Sequence, residues 1–335
     1  MARILIAGRL ASVALLPDVA DRLRASGHDV AVHSDPASLD LVHHAAADAD
    51  VIVVAPRIVA SRALMSASDH LRAVVSPITG IDNIDLVAAT EMGVLVANGH
   101  IPENSISMAE ATMLLILAAL YDLHGTEAVL RQGTPRPALL NAHMLHGKTV
   151  GLLGFGQIAR AVAQRLAGWD VSIQAHARRP PDPPPADIRF VALDDLLATS
   201  DVVCVLTTLN NESRGLLDAA RLRRLKRGAV LVNTARGAII DEDALCEVAR
   251  DRPDLRLALD TFAIEPLPAS SPLRDLPNAI LTPHMLGHTL EAERALVDMA
   301  VENTQRILAG DVPRYVCNPD VVSRWQARWS TPPQR

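Results

Sequence analysis

The feature that most constrains this chain is a train of short, nearly continuous apolar runs. RILIAG (3–8), DVAVHS (29–34), ADVIVVA (49–55), AVV (73–75) and VLVA (94–97) form a first series. KTVGLLG (148–154), VSIQAHA (171–177), DVVCVL (201–206), AVLVNT (229–234), LRLALD (255–260) and AILTPH (279–284) form a second. Each run has the length of one strand, and amphipathic stretches such as PDVADRLRASG (17–27) lie between them. Strand, helix and strand in repetition build a parallel sheet covered by helices on both faces. Aromatic residues make up only 2%, so the core must come from Ala, Val, Leu and Ile, which suits buried parallel strands. At 335 residues the expected fold is α/β, with two Rossmann-like or flavodoxin-like domains, each around a parallel sheet.

Between the series, a long helix is expected to start near Ser105 or Ser107 and to carry SMAEATMLLILAALYDL. Its apolar part, ATMLLILAAL (111–120), lies between Glu110 and Asp122 and reads as too short to span a bilayer. QGTPRPALLNAHMLHG (132–147) reads as a connector, and RPPDPPP (179–185) as a stiff surface loop. The last helix, from about 288, carries ERALVDMAVENTQRILAG. The net charge of −6 argues against nucleic acid or an anionic membrane as the main partner. RLRRLKRG (221–228) reads as a solvated helix end. Cys204, Cys246 and Cys317 form no CxxC pair, so neither a disulfide framework nor a metal site is expected. MARILIAGRL opens as a first strand and not as a signal peptide, so the expected location is cytoplasmic.

GLLGFGQIA (151–159) places Gly154, Gly156 and Ala159 in a GxGxxA pattern between a strand and the helix IARAVAQRLAG (158–168). The first glycine allows a tight turn, the second lets a pyrophosphate approach the backbone, and the small third residue lets helix and strand pack closely. The helix start offers free N–H groups to phosphate. Around it Phe155, Gln157 and Ile158, with Thr207 and Thr208 after DVVCVL, complete the expected cofactor wall. A dinucleotide site of this kind places an acid about 20 residues past the glycines, on the ribose hydroxyl. Here those positions hold Ala175 and His176, with Arg178 and Arg179 just beyond.

Ligands of such sheets bind beyond the carboxyl ends of the strands. AVLVNT ends at Thr234, followed by Ala235 and Arg236. LRLALD ends at Asp260 with Glu265 soon after, and AILTPH ends at His284. An arginine can hold a carboxylate and polarise a carbonyl. A histidine can pass a proton to a developing alkoxide near neutral pH, and a neighbouring glutamate fixes its tautomer. That set fits reduction of an oxo acid, with hydride from the cofactor.

In GIDNIDLVAATEMGVLVAN (80–98), SMAEAT (107–112), HGKTVGLLGFGQIARAVA (146–163), SDVVCVLTTLNNESRGLL (200–217), VLVNTARGAIIDEDAL (230–245), LDTFAIEPLPASSPL (259–273) and LTPHMLGHT (281–289), the chain resembles the D-isomer-specific 2-hydroxyacid dehydrogenases. The resemblance covers most of the chain and implies a substrate domain of residues 1–102 plus 285–335. A nucleotide-binding domain, 103–284, is inserted in it, with the active site in the cleft between them. It places the catalytic Arg, Glu and His on Arg236, Glu265 and His284, and the nicotinamide-side Asp on Asp260. Substrate carboxylate falls to backbone N–H groups of Ile78, Thr79 and Gly80. It also implies a homodimer and a small 2-oxo or 2-hydroxy acid substrate, with glyoxylate or hydroxypyruvate first and 3-phosphoglycerate as the alternative.

Departures from the family pattern carry expectations of their own. Ile78-Thr79-Gly80 replaces a GxG, which predicts a bulkier wall. NGHIPENSIS (98–107) is about one residue longer than usual and brings His100, Glu103 or Asn104 toward the substrate. The strand ending in Ala175 lacks the acid that would bind the ribose of NAD, while His176, Arg178 and Arg179 offer partners to a 2′-phosphate. NADP(H) is therefore expected over NAD(H). His288 reads as a helix-start residue, His43, His44 and His143 as surface or connector residues, and Arg57 as a candidate substrate contact. A short-chain dehydrogenase is excluded, since Tyr121 and Tyr315 are followed four on by Gly125 and Pro319, not lysine. A nucleotide-sensing co-repressor on the same scaffold stays open at this stage.

Overall fold

The computed structural model describes residues 1–8, 15–33, 39–56, 58–135 and 141–329. Arg57, Ser34 and residues 136–140 of the connector lie outside them. The chain divides into two compact units, Met1–Asn104 with Thr289–Arg335, and Ser105–His288.

The first unit begins with β1 (Arg3–Ala7), α1 (Leu15–Ala25), β2 (Asp29–His33), α2 (Leu39–Ala46) and β3 (Val51–Val54). It continues with α3 (Arg62–Met65), β4 (Ala73–Val75), α4 (Leu86–Met92) and β5 (Leu95–Ala97). Then come α5 (Pro102–Leu120), α6 (Leu123–Arg131), β6 (Thr149–Leu153), α7 (Gln157–Leu166), β7 (Ser172–His176) and β8 (Ile188–Phe190). α8 (Leu193–Thr199), β9 (Val202–Val205), α9 (Ala219–Arg223), β10 (Val230–Asn233), α10 (Glu242–Asp251), β11 (Arg256–Leu259) and β12 (Ala279–Leu281) complete the second unit. α11 (Leu290–Ala309) and α12 (Val322–Trp329) return to the first.

In the first unit the strands order β2-β1-β3-β4-β5, all parallel. Successive side chains leave a strand on opposite faces. Ile4, Ile6, Val51 and Val53 accordingly pack with α1 and α11, while Leu5, Ile52 and Val54 pack with α2, α3 and α4. Continuous apolar runs are needed because both faces are buried. α12 is pinned by Trp325, whose indole N–H donates to the Arg72 carbonyl at 2.8 Å, and Arg72 makes a buried ion pair with Asp50.

In the second unit the order is β12-β11-β10-β9-β6-β7-β8, again parallel throughout. The chain leaves β6 for β7 on one side and later returns to β9 on the other. The carboxyl ends of β6 and β9 therefore flank a topological switch point, where such sheets open a crevice for ligands. Val150, Leu152, Val202 and Val232 face α5 and α7, whereas Leu153, Val203, Leu231 and Leu257 face α8 and α10.

Three expectations need correction. The second sheet has a seventh strand, β8, which the six apolar runs missed; it is three residues long and follows the proline-rich loop. α5 starts at Pro102, before the expected serines, because the missing N–H of proline is no loss in the first turn. It is 19 residues long, so it is not too short to cross a bilayer. What occupies it instead is the core, since Ala109, Leu115, Ile116 and Leu120 pack on β6 and α7 and Glu110 pairs with Arg165. His288 lies ahead of α11, whose N-cap is Thr289. The basic run at the end of α9 is an exposed helix end, as expected, with Arg221 paired to Asp194, Arg223 to Glu247 and Lys226 to Asp201.

Candidate active site

Three loops at the carboxyl edge of the second sheet carry the reactive groups. The β10 loop is folded by Asn233, which is 1% exposed. Its Oδ1 accepts the Ala235 N–H at 3.1 Å, and its Nδ2 donates to the Arg236 carbonyl at 3.0 Å. The Asn233 side chain therefore fixes the backbone from which Arg236 projects. Gly237 follows, so close to the β11 loop that a Cβ there would lie 1.9 Å from the Phe262 carbonyl carbon. Only glycine lets the arginine loop nest against the glutamate loop.

In the β11 loop, Glu265 Oε1 accepts the Phe262 N–H at 3.0 Å, and Oε2 meets Nδ1 of His284 at 2.8 Å. Burial pushes the Glu265 carboxyl up, but the His284 hydrogen bond and charge, the Phe262 N–H and the Arg236 charge outweigh it, so its pKa is lowered. The carboxylate is thus kept as an acceptor, which places a proton on Nδ1 and leaves Nε2 to exchange one with a ligand. Among the described residues Nε2 has no partner, and the two side chains are 35% and 31% exposed.

His284 stands at φ +56, a left-handed conformation that costs a non-glycine residue roughly 1–3 kcal/mol. Asp260 supports it. This residue is fully buried, and its Oδ1 accepts from Thr282 Oγ1 at 2.7 Å and from the Met285 N–H at 3.1 Å, on either side of His284.

Residues 113–285 match the family described as "D-isomer specific 2-hydroxyacid dehydrogenase, NAD binding domain". The chain belongs to this family. Similar proteins include a glyoxylate reductase of Thermofilum pendens, 34% identical over 77% of this chain and 78% of the relative. A D-3-phosphoglycerate dehydrogenase of Mycobacterium tuberculosis is 35% identical over 79% of this chain, which spans only 50% of that longer protein. The crystal structure of an NADPH-dependent glyoxylate/hydroxypyruvate reductase from Sinorhizobium meliloti, in complex with citrate, superposes with a TM-score of 0.81. It is 26% identical, covering 95% of this chain and 99% of its own. The protein is accordingly an oxidoreductase with a nicotinamide cofactor.

The residues of this dehydrogenase fit that cofactor. Gly154 turns the chain at φ +100, where a Cβ would meet the Thr207 nitrogen at 2.7 Å. Gly156 is the N-cap of α7, and a Cβ there would meet nothing within 4 Å, so space is open over the helix start at Gln157 and Ile158. Unpaired N–H groups of a first helical turn favour phosphate in such a space. Ala159 is buried, and Phe155 packs edge-on against Phe190 at 5.1 Å. At the other end, Asp260 Oδ2 is buried without a hydrogen-bond partner among the described residues, an acceptor suited to a carboxamide N–H. Thr234 is held by its hydroxyl against Thr112 at 3.0 Å.

The strand that carries Ala175 runs one residue further, to His176. Ala175 is 0% exposed, pairs with Leu152 and packs in the core. The strand ends at His176, which pairs with Leu153 beside the glycine turn and whose Nδ1 lies 3.1 Å from the Val191 carbonyl. An acid at 175 would be buried, and His176 is the residue that stands at the end of the strand. Arg178 is ion-paired with Glu212, and Arg179 is exposed.

The substrate-side residues Ile78, Thr79, Gly80 and Asn104 belong to the first unit, and Arg236, Glu265 and His284 to the second. The Ile78, Thr79 and Gly80 carbonyls are occupied by the Gly99 N–H, Asn98 Nδ2 and the Ser76 hydroxyl. Among the described residues the Thr79 and Gly80 N–H groups have no acceptor. The Thr79 hydroxyl is turned to the Gly99 carbonyl at 3.0 Å, so part of its extra bulk is used as a brace. His100 packs edge-on to Tyr315 at 5.9 Å, and Glu103 is exposed in the first turn of α5. Sequence reasoning missed Asn233, Thr282 and Glu212. A polar residue closing a buried strand was the available signal for Asn233.

Proposed function

We propose that this dehydrogenase reduces a small 2-oxo acid of the glyoxylate or hydroxypyruvate class to its D-2-hydroxy acid, with NADPH preferred to NADH. The observation that carries the reading is the Glu265–His284 pair, 2.8 Å long, with Nε2 left open beside the Arg236 loop. A bound nicotinamide supplies the hydride. Arg236 holds the substrate carboxylate and polarises its carbonyl. His284 delivers the proton from Nε2 to the forming alkoxide, and Glu265 keeps the ring in the tautomer that can do so. Asp260 Oδ2 would accept from the carboxamide of the bound cofactor, and the α7 start would hold its pyrophosphate.

The Ile78–Gly80 segment belongs to the same reading. With the Ile78 N–H donated to Ser76 Oγ, the Thr79 and Gly80 N–H groups are the ones suited to a carboxylate. The NADPH preference rests on His176 where an acid would repel a 2′-phosphate, and on Arg178 and Arg179 beyond it. A homodimer is supported by the apolar residues left exposed on the second unit, Leu114, Tyr121, Leu123 and Leu130, and by α6, which buries none of its side chains. The three cysteines are free, which suits a reducing, cytoplasmic setting.

Steady-state assays with glyoxylate, hydroxypyruvate, 3-phosphohydroxypyruvate and larger 2-oxo acids, each with NADPH and NADH, test this. The expected result is the highest kcat/KM for a small, unphosphorylated acid with NADPH. A phosphorylated acid in first place overturns the substrate class, and equal or better use of NADH overturns the cofactor preference.

A further inference from the structure

We propose that Glu212 sets the cofactor selectivity by competing with a ribose 2′-phosphate for Arg178; this rests on the NADP(H) reading above. β6 lies between β7 and β9 in the sheet. Arg178 stands on the loop after β7, and Glu212 on the loop after β9. Their ion pair therefore arches over the carboxyl end of β6, where the glycine turn lies.

Glu212 is presented from a fixed loop. Asn210 Oδ1 accepts the N–H groups of Glu212 and Ser213 at 2.9 and 3.0 Å. The Asn210 N–H donates to Ser213 Oγ at 2.8 Å, and that hydroxyl donates to the Thr208 carbonyl at 2.7 Å. The start of the loop is pressed on the glycine turn, with the Leu206 carbonyl carbon 2.8 Å from where a Gly154 Cβ would be. The backbone that presents the Glu212 carboxylate is thus held against the glycine turn.

The pair itself is easily exchanged. Its side chains are 66% and 69% exposed, and exposed pairs contribute little net stability. A phosphate dianion offers Arg178 a stronger, bidentate partner, so the guanidinium leaves Glu212 for the 2′-phosphate. NADH brings no phosphate, and its binding is nearly indifferent to the exchange. Glu212 therefore holds NADPH affinity below what Arg178 and Arg179 alone would give.

Nucleotide fluorescence titrations of the intact enzyme at low ionic strength test this. Glu212→Gln should lower the Kd for NADPH at least threefold while the Kd for NADH changes less than twofold. The gain should shrink in 0.5 M salt, where charges on the surface are screened. Arg178→Ala should weaken NADPH about tenfold, and adding Glu212→Gln to it should give back less than twofold. If Arg178→Ala leaves NADPH binding unchanged, the NADP(H) reading falls and this inference with it. If Arg178→Ala weakens NADPH but Glu212→Gln leaves it unchanged, or tightens NADH equally, only the role of Glu212 is overturned.

Discussion

Arg236 and His284 project from loops whose anchors are sealed from water, with Asn233 and Asp260 at 1% and 0% exposed. At the β7 end of the same sheet edge, Arg178 meets Glu212 through side chains that remain mostly in solvent. The two ends serve different physical demands. Proton transfer needs a donor within hydrogen-bond reach of one atom, so its geometry is fixed by buried bonds to backbone. Choice between two dinucleotides needs only a charge of the right sign near a phosphate, and exposed side chains can supply that. The catalytic end should tolerate substitution badly, and the ribose end should be retuned by single residues.

Substitutions at the buried anchors probe the first half of this comparison. After His284 itself, the largest loss is expected at Asn233. Asn233→Ala leaves the Ala235 N–H and the Arg236 carbonyl without their buried partner. At about 1–3 kcal/mol for such groups, kcat/KM should fall roughly 10- to 100-fold. Asn233→Asp keeps the acceptor and should fall less. Wild-type kinetics in both would show that the anchor does not position Arg236.

Thr282→Val removes one donor to Asp260 and should lower kcat about three- to tenfold, with Thr282→Ser restoring it. An equal loss in the serine variant would point to packing instead.

Glu265 gives a smaller, pH-dependent effect. Its folded pKa is lowered, so its contribution to stability is present above the unfolded value of about 4.3 and is lost as pH falls through the folded pKa. Glu265→Gln should lower Tm by a few degrees at pH 7, and the deficit should close in acid below pH 4. A deficit independent of pH would show that charge is not its source.

The smallest effect concerns thiols. Burial pushes Cys204 up to about 12 and Cys317 to about 11, and the cysteines lie off the catalytic loops. Treatment with iodoacetamide at pH 8 should leave turnover unchanged, and rapid inactivation would reveal a thiol role that the geometry lacks.

The sequence exposed different things at the two ends. Arg236, Glu265 and His284 stood out as candidates because each is a chemically distinctive side chain past an apolar run, and the structure brings Glu265 and His284 together. Asn233 and Thr282 did not, since they act on backbone and on another carboxylate, and a polar residue ending a strand looks like any turn former. At the β7 end, the sequence alone makes Ala175 the last strand position, and the structure extends the strand to His176. Register with Leu152 and Leu153 decides it, and register is a tertiary fact. Glu212 is distant in sequence from Arg178, and only the strand order β9-β6-β7 brings their loops to one place. β8 escaped for a related reason. Three residues after a proline-rich loop carry little periodicity, and pairing with β7 is what makes them a strand.

The most direct test of the account is His284→Gln, assayed for kcat with NADPH and a small 2-oxo acid while the NADPH Kd is measured in parallel. The account predicts that kcat falls by about 10²- to 10⁴-fold, the range for loss of a general acid, with Kd unchanged within twofold. Turnover within a few-fold of wild type would contradict the assignment of the proton to His284.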